Sequence, residues 1–296
     1  MKRIGFVGLG TMGRPMAANI LKHGFEVYGF DVNPAAVASL APQGLKACAS
    51  PAEVARNAEA VVTMLPTEAE VGEVCFGPEG LMEGARPGLL VVDMSTISPD
   101  ASQKIATQVA AKGCEMIDAP VGRSSKNAEE GTLLIMVGGT EAQLERARPI
   151  LNCMGDTIVH CGSQGQGLAA KLVNNFLSLG SLAVVAEAFA LGRQAGVSLE
   201  TMLQIANMSA AGNNYFKGYL QQKALGGDLA PGFKIDLAHK DLGLVVNWAN
   251  RLQLPLPVGA LVRERYSEAR LQGRGGQDCT AIVHLVKDLG RLEPGS

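Results

Sequence analysis

Short, mostly apolar runs alternate with mixed stretches through the first half of the chain, and the second half has none of them. Residues 4–7, 27–30, 60–65, 89–94, 115–119, 132–137 and 158–160 are the apolar runs. Each has the length and continuous hydrophobicity of a strand covered on both faces, as in a parallel sheet. Between them, residues 15–21 and 51–57 read as helices, the second capped by Ser50, and Ser98-Pro99 supplies an N-cap and an N1 proline for another. Such alternation predicts an α/β domain. From residue 166 onward the pattern is helical, with breaks near Gly226-Gly227, Pro255 to Pro257 and Gly273 to Gly276, and residues 293–296 read as a disordered tail. The expected architecture is a Rossmann-type domain over residues 1–163 and an all-α domain over residues 164–296, joined by a long interdomain helix.

That helix covers residues 166–193, without proline and rich in Ala and Leu. It would extend roughly 40 Å. Its polar residues Lys171, Asn174, Asn175 and Ser178 fall at i, i+3, i+4 and i+7, one stripe of a 3.6-residue repeat. The surrounding residues are apolar enough to predict a mostly buried helix. A lysine and two amides there need partners or a task, although a solvated face with a snorkelling lysine explains the same residues.

The first strand leads into a glycine motif. Gly8, Gly10 and Gly13 form G-x-G-x-x-G between a strand and a helix, and Asp31 ends the next strand. The glycines permit a tight turn, close approach to a pyrophosphate and close helix–strand packing, and the helix N-terminus offers N–H groups to the phosphate. Asp31 would accept from ribose hydroxyls and repel a 2′-phosphate, and Val32 and Asn33 supply no cation for one, so NAD is expected over NADP. The loops at Met64-Leu65-Pro66 and Ser95-Thr96 follow strands, at the sheet edge where such folds bind ligands.

Composition excludes several classes. The 296-residue chain has a formal net charge of −2 and no basic run, which argues against nucleic acid. No apolar stretch is expected to span a membrane, and the N-terminus enters a strand directly, without a signal peptide. Cys48, Cys75, Cys114, Cys153, Cys161 and Cys279 form no C-x-x-C pair, and the four histidines are dispersed. Buried thiols in a reducing cytoplasm and no metal site are expected.

With these motifs assembled, the chain resembles the β-hydroxyacid dehydrogenases over essentially its whole length. The resemblance rests on F-V-G-L-G-T-M-G at residues 6–13, D-A-P-V at 118–121, G-T-L at 131–133, G-x-x-x-K-x-x-N-N at 167–175 and Lys240-Asp241. It implies Lys171 as catalytic acid/base and Asn174 and Asn175 on the substrate. It also implies NAD contacts from Gly8, Gly10, Thr11, Met12, Gly13, Asp31, Leu65 and Thr96, with Lys240 near the cofactor. The protonated lysine would give its proton to the alkoxide that forms as hydride reaches an aldehyde carbon. Ser178, two turns along, could hold substrate oxygens.

One motif departs from the family. Where D-x-P-V is commonly followed by S-G-G, this chain has Gly122-Arg123-Ser124. With M-S-T-I at 94–97 and I-D-L-A-H-K-D-L-G at 235–243, the variant resembles the branch of the family that reduces 3-sulfolactaldehyde during sulfoquinovose breakdown. That resemblance puts Arg123, whose planar fork suits an oxyanion, on the sulfonate, with Ser124 beside it. An ordinary surface pairing of Arg123 with Glu129 or Glu130 is the plainer reading. Carboxylate semialdehydes (succinic, methylmalonic, tartronic) are the alternative substrates, and a non-catalytic NAD-binding protein is the alternative class. The apolar excess of the helical half predicts a homo-oligomer, a dimer or tetramer.

Overall fold

Each apolar run of the first half forms a strand, and all lie in one nine-stranded sheet. The strands are β1 (Arg3–Val7), β2 (Glu26–Phe30), β3 (Lys46–Ala47), β4 (Ala60–Thr63), β5 (Leu90–Asp93), β6 (Glu115–Asp118), β7 (Val121–Gly122), β8 (Leu133–Gly138) and β9 (Gly155–Gly162). They are described, for residues 1–213 and 215–285, by a computed structural model. The order β3-β2-β1-β4-β5-β6 is parallel throughout, the arrangement of a dinucleotide-binding sheet. β8 then runs antiparallel to β6 and carries β9 parallel to itself. The short β7 continues the same antiparallel ladder, with Asp118 opposite Gly138 and Val121 opposite Ile135. Pro120, which has no N–H, stands where the ladder breaks between β6 and β7.

Period-2 alternation divides the strand residues between two cores. Ile4, Phe6, Ala60, Val62, Leu90, Val92 and Ile117 fill one face, and Val7, Val61, Val91 and Met116 the other. This is why the strands read as continuous apolar runs. Helices α1 (Gly13–Lys22), α2 (Pro34–Ala38), α3 (Pro51–Asn57), α4 (Glu68–Phe76), α5 (Leu81–Gly84), α6 (Pro99–Ala110), α7 (Ser125–Glu130) and α8 (Glu141–Leu151) connect the strands. The predicted caps are present: Ser50 Oγ accepts the Glu53 N–H at 3.3 Å and Ser98 Oγ the Ala101 N–H at 3.2 Å.

The long helix, α9, spans Gln166–Gln194. Two compact units, Met1–Lys171 and Leu172–Ser296, divide the chain within it. The second unit continues with α10 (Leu199–Asn207), α11 (Leu220–Gln222), α12 (Ile235–Arg251) and α13 (Pro257–Leu271) around Leu179, Leu182, Phe189, Leu242 and Tyr266. Two expectations about α9 are corrected. By length and mean hydropathy it is apolar enough to cross a membrane, whereas the sequence reading allowed no such stretch. It is also only partly buried: Val173, Leu177, Val184 and Leu191 are 51–73% exposed. The helix is apolar around most of its circumference, and the described residues cover one side of it. All six cysteines are free, Cys48 and Cys161 half-buried and the others buried. The expected disordered tail, 293–296, lies outside the described residues.

Candidate active site

The glycine loop after β1 has the form a dinucleotide needs. Gly8 has φ +94°, and a Cβ there would lie 2.4 Å from the Met64 carbonyl oxygen. A Cβ on Gly13 would lie 1.9 Å from the Gly8 carbonyl oxygen, whereas one on Gly10 would meet only open space. Two glycines therefore let the loop fold onto itself and onto the β4 loop, and the third leaves room for a ligand. Thr11 is exposed, and Met12 is the N-cap of α1. No side chain caps that helix and no acid lies in its first turn, so its positive end suits a phosphate.

Acids brace the loops. Asp31 accepts the Leu9 N–H at 2.6 Å and the Asn33 N–H at 2.7 Å, fixing its carboxylate beside the glycine loop. Two carboxylate oxygens hold about four acceptor sites, so capacity remains for ribose hydroxyls. At the end of β5, the fully buried Asp93 accepts from the Thr63 hydroxyl at 2.8 Å and the Ser95 N–H at 3.2 Å. Ser95 Oγ in turn accepts the Leu65 N–H at 2.9 Å. The loops carrying Leu65 and Thr96 are thus tied together at the carboxyl ends of β4 and β5. These residues fit a nicotinamide dinucleotide.

On α9, Lys171 and Asn175 are buried, Asn174 is exposed and Ser178 is half-buried. Asn175 Nδ2 donates to Asp241 Oδ2 at 2.7 Å, and Lys240 Nζ pairs with Asp241 Oδ1 at 3.1 Å. Asp241, 2% exposed, therefore gathers two of the predicted site residues on one carboxylate. Because a carboxylate accepts only, it fixes the amide with its nitrogen inward. Ser178 Oγ bonds the Tyr215 hydroxyl at 2.6 Å, and burial pushes that phenol well above the ordinary tyrosine range. Neither Asp241 nor Tyr215 had been given a role. Asp241 follows Lys240 directly in the sequence, whereas no local pattern marks Tyr215.

Arg123 is the departure from expectation in geometry. It occupies φ +74°, a conformation that favours glycine, which agrees with the glycine the family commonly carries there. Its guanidinium turns to β9: it donates to the Thr132 carbonyl, to Asp156 Oδ1 at 2.6 Å and to Thr157 Oγ1 at 3.2 Å. Asp156, not Glu129 or Glu130, is its acid. Thr157 and Arg123 together hold the Asp156 carboxyl below the usual range. Ser124 is the N-cap of α7, its N–H and hydroxyl both donating to Asn127 Oδ1 at 3.2 and 2.8 Å.

Comparison with known proteins agrees with this layout. Residues 3–162 match the family model described as the NAD binding domain of 6-phosphogluconate dehydrogenase. Residues 165–286 match the one described as NAD-binding of NADP-dependent 3-hydroxyisobutyrate dehydrogenase. The chain is 45% identical to the 3-sulfolactaldehyde reductase of Escherichia coli K12, over 97% of this chain and 96% of that protein. It is 40% identical to the 2-(hydroxymethyl)glutarate dehydrogenase of Eubacterium barkeri, over 97% and 95%. Among solved structures, the Mycobacterium tuberculosis 3-hydroxyisobutyrate dehydrogenase with L-serine matches with a TM-score of 0.91 at 33% identity, over 97% of this chain and 99% of that one.

Proposed function

We propose that this chain, which belongs to the NAD-dependent β-hydroxyacid dehydrogenase family that includes the 3-hydroxyisobutyrate dehydrogenases, reduces 3-sulfolactaldehyde to 2,3-dihydroxypropane-1-sulfonate. The observation that carries the choice of substrate is Arg123, a guanidinium at a positive-φ position where glycine is the unstrained residue.

NADH, held by Gly8, Gly10, Thr11, Met12, Gly13, Asp31, Leu65, Thr96 and Lys240, supplies the hydride. Lys171 gives a proton from Nζ to the aldehyde oxygen as it becomes an alkoxide, and regains one from solvent. Asn174 and the outward oxygen of Asn175 orient the carbonyl and hydroxyl groups. Arg123, with Ser124 and Ser178, takes the sulfonate. For this the guanidinium exchanges Asp156 for the substrate anion. The pair is exposed on both sides, 37% and 48%, so solvent screens it and it opposes the exchange only weakly, while the bonds to the Thr132 carbonyl and the Thr157 hydroxyl are given up with it. A cytoplasmic location belongs to the same reading, supported by six cysteines that are all free thiols. The apolar line of Val173, Leu177, Val184 and Leu191, which helical spacing puts on one side of α9, is the surface on which a homo-oligomer would form.

The deciding experiment is a steady-state panel with NADH and sulfolactaldehyde, succinic, methylmalonic and tartronic semialdehydes. Sulfolactaldehyde should lead succinic semialdehyde by at least about 100-fold in kcat/KM. A semialdehyde that equals it would move the assignment to a carboxylate substrate, the reading favoured by the similarity to a 2-(hydroxymethyl)glutarate dehydrogenase.

Cofactor choice gives a second expectation. NADH should surpass NADPH by about two orders of magnitude in kcat/KM, since a 2′-phosphate would desolvate Asp31 against a like charge. Asp31→Ala should narrow the gap, mainly by weakening NADH, because it also releases the Leu9 N–H. Equal rates with the two cofactors in the wild type would refute it.

A further inference from the structure

The aspartate of D-A-P-V has no task in the reaction above. Asp118 ends β6 and is fully buried. Its Oδ1 accepts the Gly165 N–H at 2.6 Å and its Oδ2 the Leu168 N–H at 2.7 Å. Gly165 is the N-cap of α9, because its carbonyl accepts the Ala169 N–H at 2.9 Å, and Leu168 is then the third helical residue. An N-cap residue ordinarily supplies the capping oxygen from its own side chain. Here the N-cap has φ +91° and is glycine, so a carboxylate from the sheet takes that place. Burial pushes Asp118 up to about 6, against the pull of the two N–H groups, with Asp93 raising it further and Cys161 also facing it. Both of its oxygens accept an N–H, the arrangement of an ionised, acceptor-only carboxylate matched to two donors.

The opposite side of the junction is equally tight. A Cβ on Gly167 would lie 2.4 Å from the Met136 carbonyl oxygen and 2.9 Å from Asp118 Oδ2. A Cβ on Gly138 would lie 2.4 Å from Asp118 Oδ1. The first turn of α9 is thus held between β8 and the end of β6, in both height and rotation. Lys171 follows Leu168 by three residues and stands on the next turn.

We propose that Asp118 is the positioning residue for Lys171: by capping α9 from the end of β6, it sets the height and rotation at which the lysine meets the substrate oxygen. The inference rests on Lys171 being the proton donor, and a plain stability role for the cap is the competing account.

Asp118→Asn keeps the shape but sets an amide N–H₂ against one of the two N–H donors. It should lower kcat roughly 10- to 100-fold, the scale of an ångström's misplacement. NADH affinity and the aldehyde KM should stay within about threefold, and Tm should fall by less than about 8 °C, as for a lost cap. In a Lys171→Ala background the same substitution should change the residual kcat by less than about twofold, because a residue acting through Lys171 has nothing left to position. Gly167→Ala, which pushes the same turn from the β8 side, should repeat the pattern and serves as the test if Asp118→Asn does not fold. An equal loss in both backgrounds, or a lowered Tm with kcat intact, would overturn the role of Asp118 while leaving Lys171 as donor. If Lys171→Ala itself leaves kcat intact, the donor assignment falls and this inference with it.

Discussion

Lys171→Ala is expected to lower kcat by roughly 100-fold or more, the usual size of a lost general acid, with NADH binding by fluorescence nearly unchanged. The lysine is 8% exposed on a helix whose start is bonded to the end of β6. An ammonium in that setting is presented at a fixed place, and a truncated side chain leaves only water to protonate the alkoxide. The cofactor loop lies after β1, on other elements, so the two readouts should separate. Lys171→Arg, which keeps the charge but not a readily released proton, should be nearly as slow. A mutant retaining more than about half of wild-type kcat would mean that another group protonates the alkoxide. The polar stripe of α9 would then be structural.

The parts of this molecule that could be read from sequence are those set by local pattern. Strands buried on both faces announce themselves as apolar runs, and a proline-free stretch of Ala and Leu announced α9 to within a residue of Gln166–Gln194. The glycine loop was legible because each glycine answers a steric demand, now visible at Gly8 and Gly13. The two-residue strands β3 and β7 were missed, being too short to show a period. So were α5 and α7, of four and six residues, and the longer α4 and α8 were not placed either.

Side-chain pairing between distant segments was not legible either. Asp118 meets residues 47 and 50 positions away, and Asn175 meets Asp241 across 66. Such partners depend on sheet register and helix packing, which no local period encodes. The same holds for Arg123. Its residue type suggested an anion, but its acid, Asp156, is brought to it by the β7–β8–β9 arrangement.

Arg123→Gly should cost on the order of 2–4 kcal/mol in transition-state binding of sulfolactaldehyde, the usual loss when one partner of a desolvated charge pair is removed. A sulfonate is tetrahedral, with three equivalent oxygens and a thinly spread charge. A guanidinium fork takes two of those oxygens and leaves the third for Ser124, Asn174 or Ser178. Backbone N–H groups of a glycine loop suit the two coplanar oxygens of a carboxylate, so the substitution should hurt semialdehydes less. Its effect on folding should run the other way. Glycine relieves the φ of +74°, a strain of about 1 kcal/mol or more, which offsets the loss of the solvent-screened pair with Asp156 and of the bonds to Thr132 and Thr157. Tm should therefore change by only a few degrees at most, on the order of a kilocalorie's effect, while the sulfonate activity collapses, which distinguishes lost recognition from lost structure. Equal losses with all four aldehydes would remove Arg123 from the substrate site and leave it as the brace that joins β7 to β9.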